Sequence, residues 1–320
     1  EVYKQAVGYK PALWAVVDGE QIMALHIPVS FSLRRGLFQY ITTRNINFGS
    51  VLVRQDEDGK KALALLLEKY NQSIRLAPMY TELRHNSDLS YFQDVFQQYG
   101  YQYESYLNYF VDLGRDEYDI LQSFSRTARK VIRSAIRKGH FIVKEISEPE
   151  MLPIFFEFIT KSYTHFSVPL VDFSLFQSTF DLLVPKKMAR FTVSFANGMP
   201  AAASVTLNYK DVMYGWYGGM DRELGSYYPS EMDLWDSIKW GTENGYKVFD
   251  FGGLGKPDQE SGMREFKLKF RGNLIEYGRN VCVHSPMRRN LAVITYNFGR
   301  RAKFFMRDLK NKLGANRGIT

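Results

Sequence analysis

The sequence predicts an α/β layered fold built from two halves of similar design. Three observations carry this expectation. Helical runs alternate with short strands along the whole chain. Two antiparallel hairpins are marked by tight turns, Asp18-Gly19 and Asn197-Gly198. The chain of 320 residues exceeds one average domain.

The elements follow in order. Ala12 to Val17 and Gln21 to Val29 form the first hairpin. Lys60 to Tyr70 reads as a helix, Arg75 to Leu83 as extended, and Asp88 to Gln98 as a helix stopped by Gly100. Tyr101 to Leu113 returns to strand, and the break Gly114-Arg115-Asp116 marks the expected boundary. A long helix is expected from Glu117 to Lys138, ended by Gly139, then a strand from His140 to Glu145. Helices over Pro149–Tyr163 and Phe173–Leu183 precede the second hairpin, Ala189–Phe195 with Pro200–Leu207. Met213–Tyr217 is a strand. Pro229 opens a helix that Gly245 closes. Val248–Phe251 is a buried strand, Gly262–Phe270 a short helix, Leu274–Val283 a strand and Met287–Leu313 a helix. The expected division is 1–115, 116–285 and a basic C-terminal helix, 286–320.

Hydrophobic residues make up 45% and charged residues 24%, as in ordinary globular chains. Cys282 stands alone, so no intrachain disulfide can form and a reducing, cytoplasmic setting is expected. No apolar run approaches the ~18 residues of a membrane span. The net charge of +8 favours anionic partners such as nucleotides, tRNA, lipid phosphates or a membrane surface.

Several chemistries are excluded. His26, His85, His140, His165 and His284 show no metal-ligand spacing, so no metal is expected. No G-x-S-x-G elbow occurs. Gly252-Gly253-Leu254-Gly255-Lys256-Pro257 lacks the spacing and hydroxyl of a phosphate loop. Cys282 lies in an apolar strand and reads as core.

Two regions carry positive signals. At 100° per residue, Arg126, Lys130, Arg133 and Arg137 lie within about 60° of one another, with Arg129 beside them. Ala128, Val131, Ile132, Ala135 and Ile136 face the other way. Such a stripe repels itself and favours an anion opposite it. The second region runs from Val212 to Phe270. A strand ends in Gly218-Gly219. A helix then opens at Tyr228-Pro229-Ser230. Another strand, Phe249-Asp250-Phe251, ends in Gly252-Gly253, and Phe266-Lys267 follow on a short helix. Glycines at strand ends let a ligand or backbone come close.

Taken in order, Arg129 to Gly139, Tyr214 to Gly219, Tyr228 to Trp240, Phe249 to Gly253 and Phe266-Lys267 resemble the Fem family of peptidoglycan-bridge aminoacyltransferases and the wider Fem-like acyltransferases of the GNAT superfamily. The resemblance covers roughly 120 to 270 well and the first third weakly. It implies two tandem acetyltransferase (GNAT)-like subdomains with mixed sheets flanked by helices. It implies transfer of an activated acyl group onto an amine of a cell-envelope precursor. Lys267 matches the family's lysine near the reacting carbonyl. Tyr214 and Tyr217 match the strand whose aromatics line the precursor cleft. The long coiled-coil arm of some members is missing.

The resulting expectation is an aminoacyl- or acyltransferase with Lys267 as the catalytic group. Tyr214, Tyr217, Arg126, Lys130, Arg133, Gly218, Gly219 and Phe266 bind substrate. No cofactor is held tightly, and the donor is aminoacyl-tRNA or acyl-CoA. In the place of a CoA pyrophosphate loop, Arg222-Glu223-Leu224-Gly225-Ser226-Tyr227 ends in a bulky tyrosine, which weighs against CoA. The acceptor is a nucleotide- or lipid-linked anionic envelope precursor. Asp250, at a strand end, reads first as structural. Two alternatives stay open: a CoA-dependent N-acyltransferase of envelope polysaccharide, and a non-catalytic anion- or membrane-binding module. Leu291, Ile294, Phe298, Phe305 and Leu309 recur at helical spacing among Arg300, Arg301, Lys303, Arg307, Lys310 and Lys312, so the C-terminal helix either docks on the core or lies on an anionic membrane surface.

Overall fold

The computed structural model describes residues 1–32, 42–74, 78–138, 141–166, 168–291 and 294. Gly139, His140, residues 75–77 of the expected extended run and nearly all of the C-terminal helix expected over Met287–Leu313 lie outside them. Two compact units emerge. One is Tyr9–Tyr103 with Asn280 onward; the other is Glu1–Gly8 with Glu104–Arg279. They differ from the contiguous blocks 1–115 and 116–285, because each unit takes a piece of chain from across the expected boundary.

The first unit holds β1 (Tyr9–Pro11), β2 (Trp14–Asp18), β3 (Gln21–His26), β4 (Val29–Ser32), β5 (Thr43–Asn47), β6 (Val51–Val53), β7 (Tyr80–Arg84), β8 (Tyr101–Glu104) and β16 (Arg279–Val283). Strands β1-β4-β5-β7-β16-β8 form a six-stranded sheet, and β2-β3-β6 a three-stranded one. Helix α2 (Glu57–Ile74), longer than expected, buries Leu63, Leu66, Leu67 and Tyr70, and α3 (Gln93–Gln98) buries Val95 and Phe96. Asp56 accepts the Gly59 amide at 2.8 Å, so a carboxylate satisfies one orphan donor of its first turn.

The second unit is preceded by α1 (Val2–Gln5) and carries one seven-stranded mixed sheet, ordered β10-β11-β12-β13-β14-β9-β15. These strands are β9 (Leu107–Asp112), β10 (Phe141–Glu145), β11 (Ala189–Ala196), β12 (Met199–Tyr209), β13 (Val212–Met220), β14 (Val248–Gly255) and β15 (Asn273–Glu276). The Asn197-Gly198 turn joins β11 to β12 with both residues at positive φ, as sequence reading expected. Helices α6 (Leu152–His165) and α7 (Phe173–Leu183) bury Phe155, Phe158 and Phe176 against Phe191, Val193 and Val205. Another core joins Trp235 and Ile238 of α8 (Pro229–Glu243) to Phe249 and Phe251.

Three expected elements are each split. Tyr101–Leu113 is β8 and β9, broken at Ser105-Tyr106, and the two halves belong to different sheets. Leu274–Val283 divides likewise into β15 and β16 at Tyr277-Gly278, with Gly278 at φ +70. The long helix is α4 (Glu117–Ser123) and α5 (Arg126–Lys138). Buried Phe124 turns extended between them, and the Ser125 hydroxyl accepts the Ala128 amide at 3.2 Å, restarting the helix. No helix among the described residues is long and apolar enough to cross a membrane.

Candidate active site

The site begins with two strands that stop pairing. Parallel β13 and β14 match only at Val212↔Val248, Met213↔Phe249 and Tyr214↔Asp250, although both strands run on. On β13, Trp216 is an extra residue opposite the Val205/Thr206 step of β12. On β14, the register against β9 shifts between Asp250 and Gly253 and again before Gly255. Bulges bend and twist strands. Beyond Tyr214 the two strands therefore form no ladder, and a wedge opens in the sheet.

At the apex of this wedge the chain makes a left-handed turn. Gly252 has φ +71, and a Cβ there would lie 3.1 Å from the Tyr214 hydroxyl. Its amide donates to Asp250 Oδ1 at 2.7 Å. Gly253 is backed by Tyr106, whose ring would stand 2.7 Å from an added Cβ, and Arg279 stacks on that ring at 3.4 Å. These close approaches explain why both positions are glycine.

Into this turn reaches Lys267, from α9 (Gly262–Leu268). Its Nζ donates to Phe251 O at 2.6 Å and to Gly253 O at 3.1 Å. An ammonium has three donors, so one N–H remains without a partner among the described residues. The helix is itself held. The Ser261 hydroxyl accepts the Arg264 amide at 3.2 Å, and the Arg264 guanidinium donates to the carbonyls of Lys256, Pro257 and Gln259 at 3.3, 3.0 and 3.1 Å. Burial pulls Lys267 down to about 8, partly offset by the charge of Asp250. Burial pushes Asp250 up to about 6, against the Gly252 amide and the Lys267 charge.

The other expected residues divide by location. Tyr214 stands at the apex. Tyr217 packs against Phe176, Trp216 and Tyr163, with ring centroids at 4.9, 4.9 and 5.6 Å. Burial, and then the neighbouring Tyr214, push Tyr163 of α6 up to about 12. Gly219 is needed for packing: a Cβ there would lie 2.3 Å from Phe158 O of α6. Gly218 is exposed and uncrowded. Phe266 sits edge-on to Phe270 at 5.5 Å and packs on the core.

Arg126, Lys130 and Arg133 are brought together. With Gln122, Arg129, Ser134 and Arg137 they line an open depression of about 610 Å³. Among the described residues, Arg126, Lys130, Arg133 and Arg137 make no ion pair. Ala128 and Ile132 are buried beneath them, but Ile136, expected on the packed face, is 53% exposed. The stripe and Lys267 are linked through backbone: Ser125, one residue before the stripe, donates its amide to Lys269 O at 2.8 Å.

Residues 122–267 match the acetyltransferase (GNAT) domain family. Over that stretch the chain is similar to the GNAT domain family. The protein is an acyltransferase. Among solved structures it is similar to FemX, at 14% identity and a TM-score of 0.68 over 92% of each chain. It is also similar to the C-terminal domain of a putative lysylphosphatidylglycerol synthetase from Agrobacterium fabrum, at 12% identity and a TM-score of 0.58, over 89% of this chain and 86% of that one. A tandem GNAT protein from the clavulanic acid biosynthesis pathway follows, at 10% identity and a TM-score of 0.55, over 88% and 85%. Among curated proteins none matches. These likenesses bear out the Fem-like fold and the two GNAT-like subdomains expected from the motifs.

Sequence reading missed Tyr106, Tyr163 and Arg264, and it set Asp250 aside as structural. The Asp-Phe-Gly-Gly run was the one local signal at the turn. Nothing local says that Tyr106, far off in sequence, would fill the space beside Gly253.

Proposed function

We propose that this acyltransferase moves an aminoacyl or other activated acyl group onto an amine of an anionic cell-envelope precursor. One observation supports it most: the wedge of the GNAT domain holds a clasped lysine with one N–H to give, beside a helix bearing an unpaired cationic stripe. The acceptor amine attacks the donor carbonyl. A C–N bond forms, the ester C–O or thioester C–S bond breaks, and the amine's proton leaves to solvent or to the departing group. Lys267 donates to the oxygen that becomes negative in between; removing a preorganised donor of this kind costs on the order of 3–4 kcal/mol. Arg126, Lys130 and Arg133 hold the anionic part of a substrate.

A charged tRNA is the proposed donor. Acyl-CoA is the second reading, favoured by the GNAT domain itself. A nucleotide-linked acceptor suits a cytoplasmic enzyme, and a lipid-linked one suits peripheral contact with the inner face of a membrane through residues 286–320. The test supplies purified protein with a nucleotide-linked muropeptide and either aminoacyl-tRNA or acyl-CoA, and reads the acceptor's mass. A gain of one acyl group on the acceptor amine is expected. An unchanged acceptor with every donor would sink the reading.

A further inference from the structure

The wedge contains a buried carboxylate whose presence the turn alone does not explain. Asp250 is 7% exposed and accepts the Gly252 amide at 2.7 Å. A neutral asparagine could accept that same N–H. Burying a carboxylate carries a desolvation cost that an amide would avoid. A charge kept at such a place needs a partner, and the one acting on it is Lys267.

We propose that Asp250 is the positioning residue for Lys267: its carboxylate holds the left-handed turn at Gly252, whose flanking carbonyls, of Phe251 and Gly253, clasp the Lys267 ammonium, and its negative charge keeps that ammonium protonated. The step from Asp250 to catalysis rests on Lys267 donating to the acyl oxygen. The geometry is a relay through backbone. The carboxylate fixes the Gly252 amide, and the turn places two carbonyls within 2.6 and 3.1 Å of one nitrogen. With two N–H bonds so directed, the third has a set direction. Without the carboxylate, only the two carbonyls would stand against burial, and the balance would move toward the neutral form, which has no charge to offer an oxyanion.

Tyr214 comes from β13 and Tyr106 from the segment before β9, and both lie against the glycines of the turn. On Lys267's own helix, Arg264 is turned onto three carbonyls of the preceding loop. Lys269, at the end of that helix, pairs with Glu231 at 3.4 Å.

The experiment follows the lysine Cε resonances of the whole protein, selectively 13C-labelled, through a pH titration; Lys267→Arg identifies the Lys267 signal. In wild type the midpoint should lie near 8. Asp250→Asn keeps an acceptor for the Gly252 amide and removes only the charge. The Lys267 midpoint should then fall by about one pH unit or more, with the Gly252 amide still protected from exchange. Asp250→Ala should lower the midpoint similarly and also speed exchange of the Gly252 amide. An Asp250→Asn midpoint equal to wild type would overturn the proposal, and this variant decides it alone if Asp250→Ala does not fold. The readout needs no substrate. If the midpoint falls while Lys267→Ala turns over normally, the positioning stands and the catalytic reading of Lys267 falls.

Discussion

If Lys267 is the donor to the acyl oxygen, as proposed, its environment makes a definite pH argument. The ammonium form is the donor an oxyanion needs. Burial lowers its titration to about 8, so the useful form is complete well below that pH and is lost as pH rises through it. Lys267→Ala should lower kcat about 10²-fold, with little change in KM. Lys267→Arg should retain more activity, and because a guanidinium stays charged, its alkaline fall should move above the range in which wild type declines. Steady-state rates from pH 6 to 10 check this. A Lys267→Ala enzyme with normal kcat would leave the lysine as a strut for the turn. The place of this lysine on a short helix was legible, because Phe266-Lys267 stands in a motif order. Its clasp was not, because both of its hydrogen-bond partners are main-chain carbonyls, which any residues could supply.

At the scale of elements, α5 shows how a repulsive pattern is tolerated. Its basic residues stand at i, i+3 and i+4 spacings, where like charges cost a few tenths of a kcal/mol per pair. Ala128 and Ile132, buried on the opposite side, hold the helix in place regardless. The cationic face was legible from periodicity alone. Its length was not: the run from Glu117 to Lys138 is continuous in helix propensity, and the break at Phe124 comes from burial of that ring against Trp235 and Phe270, at 5.7 and 5.1 Å. An unpaired stripe makes a salt-dependent prediction. Replacing Arg126, Lys130 and Arg133 together by Glu should weaken an anionic substrate by at least about tenfold, seen as a rise in KM with kcat largely kept. Wild-type affinity should fall steadily with added salt, and that slope should flatten in the variant. Binding that ignores salt would deny the stripe this role.

At the scale of the whole molecule, the decisive feature is that neither unit is one continuous stretch of chain. The apolar runs 101–113 and 274–283 each read as a single strand, yet each leaves one sheet and enters another at its midpoint. Local alternation reports that a residue is in a strand and says nothing of which sheet receives it. The first unit is therefore completed by β16, which arrives after the whole second unit, and Asn280 is its anchor. Wholly buried, Asn280 donates through Nδ2 to Gln93 Oε1 at 3.0 Å, while its Oδ1 lies 2.6 Å from His85 Nε2. With that oxygen as acceptor, His85 carries its proton on Nε2, and its bare Nδ1 accepts the Ser50 hydroxyl at 2.7 Å. One amide thus satisfies His85 and Gln93, both far from it in sequence, and His85 in turn holds Ser50. Asn280→Ala strips a partner from buried His85, at about 1–3 kcal/mol, and one from partly exposed Gln93 at a smaller cost. The unfolding midpoint in urea should drop accordingly. The effect should appear in probes of the first unit, while the Lys267 titration stays at its wild-type midpoint under native conditions. A midpoint in urea equal to wild type would mean that β16 is held by its ladder alone and that the His85–Asn280 network adds nothing to it.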